Sequence, residues 1–133
     1  MTVAYLGLGS NLGNRQENIK KAITLVGSLK NTTVLKVSSL IETEPAGGPP
    51  QGKFINGAMK IETLLPAAEL LKAVKYIEET LGRVKTIKNG PRVIDIDILF
   101  YGDEVINKKH LTVPHPRIHE RPFVQVPLSE IRD

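Results

Sequence analysis

Asp95 and Asp97 stand in the segment GPRVIDIDILFYG, Gly90 to Gly102, among Val, Ile, Leu, Phe and Tyr. Aspartate is a poor strand former, so two of them inside such a run need a reason. Residues two apart in a strand face the same side. Both carboxylates therefore project together, while Ile94, Ile96, Ile98 and Phe100 are expected to face helices and core. The strand rise puts the two Cα atoms roughly 6–7 Å apart. Carboxylates at that spacing can share one Mg²⁺, or converge on two ions about 3.5–4 Å apart. Their alternative use is to wet the outer face of a half-exposed sheet. Arg83, Lys85, Lys88 and Arg92 precede or flank the pair. Basic groups around an acidic pair favour the metal–phosphate reading, because Mg²⁺ prefers a few carboxylates plus phosphate oxygens.

Other candidates are weaker. GLGSNLGNR carries Gly7, Gly9 and Gly13, so the third glycine of a dinucleotide fingerprint is one place late, and no Walker-type loop exists. A tight strand-to-helix turn accounts for these glycines, with close approach of substrate to the backbone as a second use. His115 and His119 are four apart, but HPRIH lacks the glutamate of a zinc helix and Pro116 interrupts it. Pro114 and Pro116 instead hold His115 in extended chain, either able to present its imidazole to phosphate or a surface histidine with no role.

The elements that must position these groups follow from periodicity. TVAYLGL reads as a strand, and Ile19, Ala22, Ile23, Val26 and Leu29 give an amphipathic helix from about Asn14 to Leu29. TTVLKVSSLI and FINGAMKIE are further strands, joined by the Gly- and Pro-rich loop Thr43 to Lys53. Pro66 opens a second helix with Leu70, Val74, Ile77 and Leu81 on one stripe, and Gly82 stops it. The aspartate strand follows, then a short EVI…LTV pair and a C-terminal tail. The order β-α-β-β-α-β predicts an α+β, ferredoxin-like sheet with two helices on one face, the other face free, and a short C-terminal β/helix extension. Loops Thr43–Lys53 and Gly82–Pro91 have the composition of mobile lids.

The 133 residues suit one domain, 1–133, and 41% hydrophobic with 24% charged residues suit a soluble globular protein. The net charge of +4 suits an anionic partner and equally a solvated basic face that aids solubility. The absence of Cys excludes a thiolate nucleophile and cysteine-ligated metal. Without a signal-peptide pattern or an apolar run of about 18 residues, a cytoplasmic protein with no membrane partner is expected.

Six stretches occur in an order that resembles the 6-hydroxymethyl-7,8-dihydropterin pyrophosphokinase family: GLGSNLGNR, ETEPAG, FINGA, IEETLGR, GPRVIDIDIL and LTVPHPRIHERPFV. The resemblance covers nearly the whole chain. It implies an enzyme that moves pyrophosphate from ATP to the hydroxymethyl group of the pterin, giving AMP, in folate biosynthesis, with two Mg²⁺ ions. It implies Asp95 and Asp97 as metal ligands, and Arg83 and Arg92 as catalytic loop arginines on the phosphates. Glu78, Arg92, Thr112, His115 and Arg121 match ATP-binding positions. Thr43, Pro45, Phe54, Asn56, Asp95 and Phe123 match the pterin site, with Phe54 standing where many members have Tyr. Lys75, Lys85, Lys88, His110 and Asn89 depart from residues often found in the family. Small-molecule substrates, no nucleic acid and a monomer are expected.

An RNA-binding module shares the element order, but base stacking needs aromatics on the central strands. FINGAMKI offers only Phe54, and the carboxylates would repel RNA. A metal-dependent phosphohydrolase could use the same aspartates, with water in place of the alcohol.

Overall fold

The computed structural model describes residues 1–45, 47–84 and 90–132. Its elements run β1 (Thr2–Ser10), α1 (Arg15–Gly27), β2 (Thr32–Val37), β3 (Ile41–Thr43), β4 (Phe54–Thr63) and α2 (Ala67–Thr80). These are followed by β5 (Asp95–Tyr101), β6 (Ile106–Lys108), β7 (Leu111–Val113), a 3₁₀ turn at Ile118–Glu120 and α3 (Pro122–Ile131). Local chemistry sets the helix ends. The Asn14 side chain accepts the Glu17 N–H at 3.1 Å, capping α1. Pro66 precedes the first turn of α2, and Gly82, at φ +100°, takes the left-handed turn just past its end.

The main sheet has the order β2-β4-β1-β5, every pairing antiparallel, with β3 on the far end of β4. Ile19, Ala22 and Val26 of α1 and Leu70, Val74 and Ile77 of α2 cover one face. They bury Ala4, Leu6, Leu8, Ile94, Ile96 and Ile98. A side chain buried in such a core contributes about 1.5–3 kcal/mol, so this layer is the main anchor of the strands. No helix among the described residues is long and apolar enough to cross a membrane.

Three expectations change. The single strand read into TTVLKVSSLI is two, because the chain steps off β4 at Ser38. There the Ser38 hydroxyl accepts the Ala58 N–H at 2.8 Å, and Leu40 crosses over Gly57. A Cβ on Gly57 would lie 2.6 Å from Leu40 Cδ2, so only glycine permits the crossing. Phe100 does not face the helix side. Leu6 pairs with Ile98 but Tyr5 with Phe100, which leaves Leu99 as an extra residue and reverses the alternation beyond it. Tyr101 enters the helix-side core instead. The second sheet face, finally, is not wholly free. Helix α3 packs over β4 and β1, burying Leu128 with Leu99 and Ile118 against Tyr5, Phe100 and Val124. Glu130 fastens α3 by accepting the Ser39 N–H at 3.1 Å and its hydroxyl at 2.7 Å.

Candidate active site

The part of the second face that α3 leaves open carries the aspartates. Asp97 pairs with Gly7 and Asp95 with Gly9, so β1 sends no side chain onto the floor beside either carboxylate. The two glycines are strand residues rather than turn residues; Gly13, at φ +69°, serves the turn. On the other side of β1, Gly9 pairs with Asn56. A Cβ on Gly9 would stand 2.9 Å from Asn56 Oδ1, so the amide needs that glycine.

Two clefts meet at Asp97. One is lined by Gly7, Gly9, Thr43, Glu44, Gln51, Phe54, Asn56, Arg92, Asp95, Asp97, Arg121 and Phe123. Its amide is fixed, because Asn56 Nδ2 donates to Thr43 Oγ1 at 2.6 Å. Its two phenylalanines each lie under a guanidinium, Arg92 over Phe54 and Arg121 over Phe123, both 5.7 Å from the ring centre. The Arg121 Nε–H is buried without an acceptor among the described residues. A buried orphan donor asks for an acceptor from a ligand. The second cleft is lined by Leu71, Lys75, Ile96, Asp97, Lys109, His110, Leu111, Thr112, His115 and Pro116. His115 Nδ1 accepts the Arg117 N–H at 3.3 Å, so the neutral ring carries its proton on Nε2. Burial and the nearby Arg121 and Arg117 charges lower the His115 pKa, which keeps it neutral.

The two carboxylates differ in their partners. Arg83 NH1 lies 2.9 Å from Asp95 Oδ1, and Arg92 NH1 lies 3.4 Å from Asp95 Oδ2. The Asp97 carboxylate has no hydrogen bond or ion pair among the described residues. Burial, then the Asp95 charge, pushes its pKa up to about 7, against the opposite pull of Lys75 and Arg121. Two like charges on one face, one of them strained towards protonation, suit a cation between them. Among the described residues no group of three or more potential ligands forms a closed metal cage. Two carboxylates beside a phosphate-binding surface fit Mg²⁺ chemistry, where ligand oxygens complete the coordination.

Of the residues singled out from sequence, Thr43, Phe54, Asn56, Arg92, Asp95, Asp97, Arg121 and Phe123 come together in the first cleft. Thr112 and His115 line the second. Pro45 lines neither. Glu78, read as a nucleotide contact, is 3% exposed and also lines neither. Its carboxylate accepts the Ile96 N–H at 2.8 Å and Arg83 NH1 at 2.8 Å, with Lys75 Nζ at 3.3 Å. Arg83 lines neither cleft; its NH1 also donates to the Ile94 carbonyl at 3.3 Å. The charges of Asp95 and Glu78 raise its pKa against the cost of its burial. Lys85, Lys88 and Asn89, with the middle of the expected lid, lie outside the described residues.

Asn11 was not singled out. Its Oδ1 accepts the Arg92 N–H at 2.7 Å, while its Nδ2 donates to Gln51 Oε1 at 2.8 Å and the Gly52 carbonyl at 3.1 Å. It thus ties the segment before β5 to the loop before β4. A buried Asn in a glycine-rich turn was the available signal.

Paired aspartates with guanidinium partners, at the junction of an aromatic, amide-bearing cleft and a basic one, are equipped to align an anionic group between two bound molecules. The chain belongs to the 7,8-dihydro-6-hydroxymethylpterin-pyrophosphokinase (HPPK) family, whose sequence model matches residues 5–133. It is 45% identical over 129 residues to the 2-amino-4-hydroxy-6-hydroxymethyldihydropteridine pyrophosphokinase of Bacillus subtilis, covering 97% of this chain and 77% of that protein. It is 48% identical over 127 residues to the folic acid synthesis protein fol1 of Pneumocystis carinii, covering 96% of this chain but 17% of that longer one. Among solved structures, the fold is similar to that of Plasmodium falciparum HPPK-DHPS, with a TM-score of 0.74, 17% identity and coverage of 98% of this chain and 40% of that chain.

Proposed function

We infer that this enzyme transfers pyrophosphate from ATP to the hydroxymethyl group of 6-hydroxymethyl-7,8-dihydropterin, giving AMP and the pterin diphosphate in folate biosynthesis. The observation that carries the reading is Asp97 at the wall of both clefts. One cleft takes the pterin. Phe54 and Phe123 supply the aromatic surfaces for a flat heterocycle, and Asn56, held by Thr43, hydrogen bonds its edge. The other cleft takes the nucleotide, with Thr112 beside it and the His115 Nε2–H donating to phosphate oxygen.

The hydroxymethyl oxygen forms its bond to the β-phosphorus as the bond from that phosphorus to the α-phosphate oxygen breaks. Asp97 stands where it can receive the hydroxyl proton. Arg83, Arg92 and Arg121 stabilise charge on the transferring group, the main source of rate in such transfers. Two Mg²⁺ ions, held by Asp95 and Asp97, would neutralise the polyphosphate and polarise its oxygens. Residues 1–133 act as a single domain of the ferredoxin-like kind with a C-terminal β/helix extension. A monomer suffices for this activity, since both clefts are lined by one chain, and a cytoplasmic location is proposed with it.

Incubation with ATP, Mg²⁺ and the hydroxymethyl pterin, followed by product identification, tests the reading. AMP with a pterin diphosphate is the expected result. ADP, or free phosphate without modified pterin, overturns it.

A further inference from the structure

The first cleft takes its walls from two sources. Thr43 and Asn56 belong to β3 and β4, whose ladder fixes them, whereas Phe123 stands on α3, a helix laid on the sheet. The apolar packing of Leu128 with Leu99 and Ile118 holds α3 down but carries no direction. Direction comes from Glu130, which accepts the Ser39 N–H at 3.1 Å and the Ser39 hydroxyl at 2.7 Å. Ser39 is itself held from both sides. Before it, the Ser38 N–H donates to the Ala58 carbonyl at 2.9 Å, and the Ser38 hydroxyl accepts the Ala58 N–H at 2.8 Å. After it, Leu40 crosses Gly57 and the chain enters β3, where Thr43 accepts the Asn56 amide at 2.6 Å. On the helix, Phe123 and Glu130 are seven residues apart, close to two turns, so they share a face. Pro127 lies between them on that face and is buried. A pull on Glu130 is thus a pull on the side of α3 that carries Phe123.

We propose that Glu130 is a positioning residue for the pterin: its bonds to Ser39 set the span between the Phe123 ring and the Thr43–Asn56 pair. The inference rests on the pterin reading of the first cleft. A flat heterocycle must stack by its face and hydrogen bond by its edge at once. Stacking tolerates sliding, but a hydrogen bond weakens steeply off its line, so the two walls must stand at a fixed separation. One carboxylate that accepts twice from one residue fixes rotation as well as distance. Bonds to an ionised acceptor are also stronger than those to a neutral one. The Ser39 hydroxyl, then the Ser39 N–H, lower the Glu130 pKa, which keeps the group ionised and acceptor-only near neutral pH. Glu130 is exposed and lines neither cleft, so it reaches the substrate only through α3. Thr112 and His115 of the second cleft come from β7 and the segment after it, and do not depend on this link.

The test is calorimetric and kinetic, on the full chain. A non-hydrolysable ATP analogue with Mg²⁺ is titrated first, then 6-hydroxymethyl-7,8-dihydropterin into the analogue-saturated protein. Glu130→Ala is expected to weaken pterin binding roughly three- to tenfold, the scale of a lost hydrogen bond, and the analogue by less than about twofold. The KM for pterin should rise in step while kcat at saturating pterin stays within about twofold of wild type. Glu130→Gln, which keeps one acceptor oxygen, should recover part of the loss. Ser39→Ala should weaken pterin binding in the wild-type background and add nothing to Glu130→Ala, because both changes remove the same link. An equal loss for both ligands, or unchanged pterin affinity in a folded Glu130→Ala protein, overturns the positioning role while the pterin reading stands. Additive losses from Ser39→Ala and Glu130→Ala also overturn it. A wild-type protein that takes no pterin in the presence of the analogue overturns both.

Discussion

The two faces of β5 behave as different materials. On the helix side, Ile94, Ile96 and Ile98 are almost wholly buried in the main core. On the other side, Asp95 and Asp97 face glycines and open clefts. One strand thus carries deeply buried core on one face and a carboxylate pushed towards protonation on the other, separated by a single peptide's alternation. The isoleucines hold the backbone so firmly that the aspartates can be kept at a spacing their charges oppose. Stability is concentrated on one face so that it can be given up on the other.

The sharpest way to break this contrast is on the site face. Asp97→Ala should lower turnover by about three orders of magnitude or more, the scale for losing a preorganised electrostatic group in the transition state. The far-ultraviolet circular dichroism should be unchanged. Wild-type kinetics at limiting Mg²⁺ in a folded variant would remove Asp97 from the mechanism. On the core face, Ile96→Ala should cost about 2–5 kcal/mol in urea unfolding, because the residue is 1% exposed and cannot be replaced by water. A loss below about 1 kcal/mol would mean that the core side is not the anchor.

A subtler test uses pH. The Asp97 pKa lies at about 7 in the folded protein, above its ordinary value of 3.8. Between these values the folded state holds a proton that the unfolded state has released, so stability is lost as pH rises from about 4 through about 7. Asp97→Asn cannot ionise. In chelator-treated buffer it should therefore gain on the order of 1–3 kcal/mol over wild type at pH 8, with little difference at pH 4. Equal stability differences at both pH values would show that the carboxylate is not strained.

The smallest expected effect concerns the aromatic wall. Phe123→Ala should weaken pterin binding more than ATP binding, with about 0.5–1.5 kcal/mol from stacking beyond area lost. Calorimetric titration with each ligand separates the two, and an equal loss for both would refute the stacking role.

Periodicity made most of this arrangement legible. Alternation put Asp95 and Asp97 on one face, and the stripes of α1 and α2 marked the opposite face as core. What stayed hidden depended on tertiary contact. The run ILFY is apolar throughout, so nothing in it marks Leu99 as the extra residue that turns Phe100 towards α3. A helix was expected in the C-terminal extension, but Pro127 inside α3, a residue that ordinarily argues against a helix, hid its bounds and the sheet face it covers. Glu78 sits on the buried stripe of α2 as a charge, and resemblance gave it to the nucleotide. Only the folded chain brings the Ile96 N–H and Arg83 to it. The site residues that sequence placed best, Thr43, Asn56 and the aspartates, lie on or beside regular strands whose pairing fixes them.

The glycine floor carries a consequence for how this cleft could be re-purposed. At Gly7 and Gly9 the backbone polar groups lie between β4 and β5 in the sheet, and no side chain projects. The floor is therefore mute: it measures thickness and reads nothing. An added methyl at position 7 would meet Leu99 at an ordinary 3.5 Å, but at position 9 it would press on Asn56 at 2.9 Å and disturb the amide. A designer seeking a different flat heterocycle has freedom in the walls, at Phe54, Phe123 and the loop carrying Gln51, and on the floor only at position 7. Lowering the floor itself would mean moving a strand.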